Sequence, residues 1–197
     1  MTELDSLLEL ALDSSRERIT ISEMVHVMGD CSLATLILLF ALPNSIPAPP
    51  GTSAILGVPL LFLTTQMALG HSASLPQWLA RQSFSRKHLA DLMLQLDAIS
   101  RRAERICKPR LHTYAGPFAM RVAGGIGVLV SVILILPLPL VNVPCGVALV
   151  LVSLGCLYKD GLFTILGCVA GFASLILAVV VVVLSWHIVH KALSVIL

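Results

Sequence analysis

Residues 39–63 read "LFALPNSIPAPPGTSAILGVPLLFL", an apolar stretch with Pro43, Pro47, Pro49, Pro50 and Gly51 crowded into its middle. Proline has no N–H to donate and its ring clashes with the preceding turn, so no continuous helix passes through such a cluster. A second stretch is built the same way. Sliding the chain by 94 positions lays "FALPNSIPAPPGTSAIL" (40–56) over "LILPLPLVNVPCGVALV" (134–150) without a gap, with Leu42-Pro43 on Leu136-Pro137 and Pro50 on Pro144. Each copy is an apolar run, a Leu-Pro, a second shared proline and another apolar run, the pattern of an internal duplication.

The flanking runs are short for a membrane. Cys31 to Leu42 and Cys145 to Leu157 hold twelve and thirteen residues, and at about 1.5 Å per residue they reach only part-way across a hydrocarbon layer about 30 Å thick. Each copy therefore reads as a re-entrant hairpin. Irregular backbone at membrane depth is tolerated only where protein or a water-filled cavity surrounds it, and paired interrupted segments point to a transporter's binding site. The competing reading takes Met24–Leu42 and Phe118–Leu136, nineteen residues each, as full crossings joined by Pro-rich outer turns. Asp30 and Arg121 would then lie in or beside a span, which is costly unless they are paired or wet. An inverted pair of repeats needs an odd number of crossings between them, and the charged stretch 71–117 offers no obvious one, so the handedness of the duplication stays open.

The composition places the whole chain in a membrane. Of 197 residues 57% are hydrophobic and 12% charged, against about 25% charged in soluble domains. The run from Leu162 to Trp186 has no Asp, Glu, Lys or Arg and is the clearest spanning helix. The start, "MTELDSLLELALDSSRERI", is acidic where a secretory leader would be basic, so no cleavage is expected. The five cysteines form no CxxC pair and read as small apolar residues. His187 and His190 share a helix face but lack a third ligand, so they read as an interfacial polar pair; no metal and no cofactor are expected.

Charge divides the rest. Residues 1–30 hold seven acids against Arg16 and Arg18, with Leu4, Leu7, Leu8 and Ala11 at helical spacing. Residues 81–110 hold eight basic residues against three acids, and Leu89, Leu92, Leu96, Ile99, Ala103 and Ile106 form the stripe of a helix lying along a surface. That basic helix can meet anionic headgroups or be neutralised by the acidic N-terminal helix, and the positive-inside bias puts it in the cytoplasm either way. The expected organisation is an all-α integral membrane protein with an acidic amphipathic segment 1–30, a first broken hairpin 31–70, a basic amphipathic segment 71–117, a second broken hairpin 118–160, and a transmembrane helix with tail 161–197.

In order along the chain stand "ALPNSIPAPPGTSAILGVPLLFLTTQMALG" (41–70), "PQWL" (76–79), "RRAERICKPRL" (101–111) and "ILPLPLVNVPCGVALVLVSLGCLYKDG" (135–161). With these motifs the sequence resembles the ExoD family of bacterial exopolysaccharide-synthesis membrane proteins over roughly residues 15–185. Cys145-Gly146 departs from the small or apolar pair more usual there. The resemblance implies a multi-pass protein of the bacterial inner membrane that affects exopolysaccharide production; it implies no reaction, because the family name reports a phenotype.

Convergent nucleophiles, acids and bases are lacking, "GGIGVL" (124–129) is not a phosphate loop, and no soluble nucleotide-sugar domain is present, so no enzyme is expected. The candidates for substrate contact are Asn44, Thr52, Ser53, Gln66 and Asn142, polar residues at membrane depth. After Gly51 a new helix would present free N–H groups and its positive dipole end, with Thr52 and Ser53 suited either to cap it or to help hold an anion. The two asparagines can tie the loops together or meet a substrate. Arg101, Arg102, Arg105 and Arg110, with Glu104 among them, suit a lipid phosphate or a regulatory partner, or an internal ion pair. Pro43, Pro50, Gly51, Pro137 and Pro144 shape the breaks, and Asp160 before Gly161 reads as a helix cap. Expected partners are membrane lipids, a lipid phosphate or other anionic substrate, and a second copy in a homodimer; nucleic acid is not expected. Two functions compete, a small transporter or lipid-carrier translocation factor and a non-transporting protein docking on a polysaccharide synthesis complex or anionic lipid.

Overall fold

The computed structural model describes residues 18–20, 32–46, 52–71, 83–85, 98–99, 102–103, 106–107, 116–136, 138 and 140–196. Helix α1 is Ser32–Ala41, followed by a 3-10 turn at Pro43–Ser45 and by α2, Thr52–Leu69. Helices α3, α4 and α5 are Pro117–Ile135, Asn142–Leu157 and Gly161–Ile196. The exception to helix is one antiparallel pair of short strands, β1 (Arg18–Thr20) and β2 (Ser83–Ser85), with Ile19 opposite Phe84. Residues 18–20 thus depart from the helix expected over 1–30; Ile19 and Thr20 are β-branched and suit a strand. The rest of that expected helix lies outside the described residues.

Helix α1 is the centre of the bundle. It is apolar all round, and every residue from Ala34 to Leu42 is buried, as such a helix must be. It stops because Pro43 cannot continue the hydrogen-bond ladder. The carbonyls left over are taken by side chains: Asn44 Nδ2 donates to the Phe40 oxygen at 3.0 Å and Ser45 Oγ to the Ala41 oxygen at 3.2 Å. Helix α1 packs on α4 and on α2.

Helices α2 and α3 run antiparallel and meet backbone to backbone. A Cβ on Gly57 would lie 2.9 Å from Ile135 Cγ1 and one on Gly127 would lie 2.9 Å from Thr64 Cγ2, while one on Gly124 would strike the Ala68 amide. Small residues at such positions let helix axes approach closely. Pro59 lies inside α2 without ending it, and Pro117 opens α3 at the position where a missing N–H costs nothing. Helix α2 ends in a Schellman motif, His71 N donating to Gln66 O at 3.0 Å and Gly70 N to Met67 O at 3.2 Å, with Gly70 at φ 73°.

Helices α4 and α5 form an antiparallel hairpin. The turn repeats the Schellman geometry, with Asp160 N donating to Gly155 O at 2.9 Å and Lys159 at φ 50° in the left-handed position. Asp160 then caps α5, its Oδ1 accepting from Leu162 N at 2.9 Å. Along the hairpin Gly155 meets Thr164, Gly167 meets Val152, Gly171 approaches Ala148 and Ile126, and Cys145 lies beside Ser174. Helix α5 therefore draws level with the start of α4 at about Ser174 and runs on past the bundle to Ile196. Among the described residues two helices are long and apolar enough to cross a membrane, α3 over Pro117–Ile135 and α5 over Gly161–Ile188; the apolar ranges Leu33–Ser45, Ser53–Leu69 and Asn142–Leu157, which take in most of α1, α2 and α4, are shorter.

The described part of the basic segment packs against the bundle. Ala103 and Cys107 are buried in the core, and Ile99 packs against it. Residues 99, 103 and 107 are the inward face, so Ile106, expected inside, is exposed.

Candidate functional site at the broken tips

The directions of the helices bring both Pro-broken tips to one end of the bundle. Helix α1 ends there and α4 begins there, and a Cβ on Gly146 would lie 2.5 Å from the Asn44 carbonyl carbon and 2.6 Å from Ser45 N. Across the same end, Asn142 Nδ2 at the start of α4 donates to Ser53 Oγ at the start of α2, at 3.0 Å. Asn142 Oδ1 is buried and has no hydrogen-bond partner. An orphaned buried amide oxygen is costly, and it leaves the junction with an acceptor that a hydroxyl or a water could satisfy.

Three of the five substrate candidates thus meet at the tips: Asn44, Ser53 and Asn142. Asn44 is buried, and its amide nitrogen already serves the end of α1. Thr52 starts α2 beside Ser53, but its side chain lies outside the described part. Gln66 is elsewhere. It is thirteen positions from Ser53 along α2, about 20 Å at the helical rise, where its carbonyl closes the Schellman motif. Pro43 heads the 3-10 turn, and Pro144 stands in the first turn of α4, where a proline does not break a helix. Pro50, Gly51, Pro137, Arg101, Glu104, Arg105 and Arg110 lie outside the described residues; Arg102 is exposed.

Polar contacts continue inward. Thr64 Oγ1 lies 3.4 Å from Ser131 Oγ and donates to Leu60 O at 2.8 Å, so the hydroxyl is satisfied within its own helix as well as between helices. Ser153 and Ser174 are buried and donate to carbonyls of their own helices at 2.8 Å each. Thr64 stands out in the sequence as a polar residue at membrane depth, whereas Ser131, Ser153 and Ser174 do not, because serine is ordinary in apolar helices; the signal that points to Ser131 is its place opposite Thr64 once α2 and α3 are paired through Gly127 and Gly124.

At the other end of the bundle, Asp160 is buried and its charge acts on Cys107. Burial first, and then that carboxylate, push the Cys107 thiol above its ordinary range. Arg121, one turn into α3, stands over Gly70, whose added Cβ would lie 2.8 Å from Arg121 Nε. The cysteines at 107, 145, 156 and 168 are not joined in disulfides. Among the described residues no three His, Cys, Asp or Glu converge, and His187 and His190 are exposed on the projecting part of α5.

A bundle of apolar helices, two of them long enough to cross a membrane, with two proline-broken segments joined at one end by an asparagine and a serine, defines a small helical protein of membrane-spanning character. The chain belongs to the ExoD family: that family's model, described as "Exopolysaccharide synthesis, ExoD", matches residues 4–180. It is similar to Protein ExoD of Rhizobium meliloti (strain 1021), 26% identical over 163 residues that cover 80% of this chain and 68% of that protein. No solved structure matches it.

Proposed function

We propose that the protein is a multi-pass component of the bacterial inner membrane that supports exopolysaccharide synthesis as a small transporter or lipid-carrier translocation factor, with no chemistry of its own. The meeting of the two tips carries this reading. They lie level with Ser174, about 20 Å from Gly161 and about 21 Å from Ile188 by the helical rise, so they stand near the middle of the apolar length Gly161–Ile188. Tips at that depth need polar partners, and Ser53, Asn142 and the Asn142 Oδ1 acceptor are there to give them. Both tips face the same end, which favours a pair of hairpins related by an axis along the bundle over an inverted pair. The pathway residues are Asn44, Thr52, Ser53 and Asn142, and Gln66 serves the opposite end of α2.

The test is thiol labelling in membrane vesicles with single cysteines at positions 44, 53 and 142 in a background lacking the native five. Both tips are expected to be reached by a water-soluble reagent from one and the same side. Uniform protection of every tip position would end the transport reading.

A second reading is favoured by one observation: the basic segment turns Ala103 and Cys107 into the bundle and leaves Arg102 outward. On it the protein transports nothing and docks through this face on a synthesis complex or anionic lipid. Reversing Arg101, Arg102 and Arg105 would then abolish exopolysaccharide production, while Asn44→Ala with Asn142→Ala would leave it intact; the opposite pattern rejects this reading. In either case the chain acts as a homodimer, since so small a bundle hardly encloses a path alone.

A further inference from the structure

Arg121 is the one charged residue within the apolar length Pro117–Ile135 of α3. Such a charge is costly in a span unless something meets it. Its guanidinium lies over the end of α2, where a Cβ on Gly70 would be 2.8 Å from Nε and 3.0 Å from Nη2. The side chain is exposed, and among the described residues it has no hydrogen-bond or ion-pair partner.

The depth of Arg121 follows from the helix that carries it. Ile135 lies at the tip end of α3, fourteen positions away, which is about 21 Å by the helical rise. With the tips near mid-membrane and a hydrocarbon half-layer of about 15 Å, Arg121 stands at the level of the lipid phosphates. Gly125, one turn further in, stands at the edge of the hydrocarbon.

Below the charge the outer face of α3 is apolar and unpartnered. Phe118, Val122, Leu129, Val132 and Leu136 are exposed, and with Gly125 they recur at steps of three and four, which makes one stripe down the helix. At Gly125 the stripe is notched, because a Cβ there would meet nothing within 4 Å. Charge decides what covers this face. Two parallel copies related by a two-fold axis would bring their Arg121 side chains to one height, like charge toward like charge, with no acid on α3 between them. A phosphate instead matches the guanidinium fork through paired charge-assisted hydrogen bonds.

We propose that the outer face of α3 seats one anionic glycerophospholipid, its phosphate on Arg121 and one acyl chain running over Gly125 from Val122 toward Leu129. This goes beyond the transport reading and holds whether or not the tips conduct.

The experiment uses the full chain in phosphatidylcholine nanodiscs doped with phosphatidylglycerol that carries a diazirine on one acyl chain close to the glycerol, the adducts being located by mass spectrometry. Adducts are expected at residues 121–129. They should form about fivefold more often than with a phosphatidylcholine probe of the same chains, the preference that one basic side chain near the surface gives, and soluble glycerol phosphate should not compete. Arg121→Gln is expected to bring the two probes level. Gly125→Leu, at a position with open space around it, is expected to fill the notch and move the adducts off 125–129. Equal labelling by both probes in the unsubstituted chain, competition by glycerol phosphate, or adducts unchanged in both variants would overturn the proposal. Rapid disulfide linkage of two copies through Gly125→Cys, in a background lacking the native cysteines, would give the face to a second copy and overturn it as well.

Discussion

The contact between the two tips makes an unusual demand on Gly146. In an ordinary helix, glycine to alanine is favourable by up to about 1 kcal/mol, because alanine has less backbone freedom to lose. At Gly146 the new methyl would lie 2.5 to 2.7 Å from the carbonyl carbon, carbonyl oxygen and following nitrogen of Asn44 and Ser45. These are backbone atoms and cannot rotate away, so the tip must shift or the helices must part. Overpacking of this kind costs about 1–3 kcal/mol, which outweighs the gain in helix propensity and leaves a net loss of about 1–2 kcal/mol. Gly125 provides the opposite case, since a Cβ there meets nothing within 4 Å. Thermal unfolding in detergent, followed by circular dichroism, should show Gly146→Ala lowering the midpoint by about 2–8 °C and Gly125→Ala raising it by about 1–4 °C, given roughly 2–4 °C per kcal/mol at this chain length. A midpoint raised by Gly146→Ala as much as by Gly125→Ala would refute the approach of the two broken segments.

Three further outcomes are expected. Asn44→Ala removes the buried hydrogen bond from its amide to the Phe40 carbonyl, costing about 0.5–1.5 kcal/mol, read as a fall in the same unfolding midpoint, with Asn44→Gln failing to restore it because the longer side chain misplaces the donor. Lys159→Gly places the residue best suited to φ 50° at the end of α4 and should stabilise by about 0.5–1 kcal/mol, read as a higher midpoint with unchanged helical content. The Cys107 thiol, raised by burial and by Asp160, should alkylate slowly at neutral pH, and Asp160→Asn, which keeps the cap and removes the charge, should start alkylation at lower pH. The sign follows from linkage: a thiol whose folded pKa is raised contributes stability that is whole below the unfolded thiol's pKa and is lost as pH rises through the folded value, so alkaline unfolding should be milder in Asp160→Asn.

Much of the fold is visible in the residues because the same few rules act locally. The interruption at Pro43 and the apolar length of α5 follow from proline's missing donor and from the lack of any charge between Leu162 and Trp186. The matching break at Ile135 lies 94 positions beyond the end of α1 at Ala41, which is the offset of the sequence repeat. Direction is a different matter. That both tips lie at one end depends on Gly124 meeting Ala68 and Gly146 meeting Asn44, contacts between residues far apart in the chain, and glycine alone does not say what it faces.

The candidate site was legible in the same uneven way. Asn142 and Ser53 stand out as polar residues beside the breaks, and they meet. Gln66 stands out equally by composition, yet the helical rise carries it to the far end of α2. Ile99 and Ala103 of the apolar stripe pack inward, while at its end Cys107 is buried and Ile106 is exposed, since a helix stripe can drift by one residue without changing its count. A groove lined by Leu42, Ala98 and Val147 has no sequence signature at all, since these are ordinary apolar residues until three segments bring them together.

The central claim is that the two tips meet part-way along α5, within the membrane. Depth-graded quenching in bilayers, with probes at positions 53 and 142 and with 162 and 187 as references near the two ends of the apolar length of α5, tests it most directly. The account predicts that both tip probes are quenched most by groups deep in the acyl chains, at a common depth between the two references. Tip probes quenched at the headgroup level, or at two different depths, would contradict it.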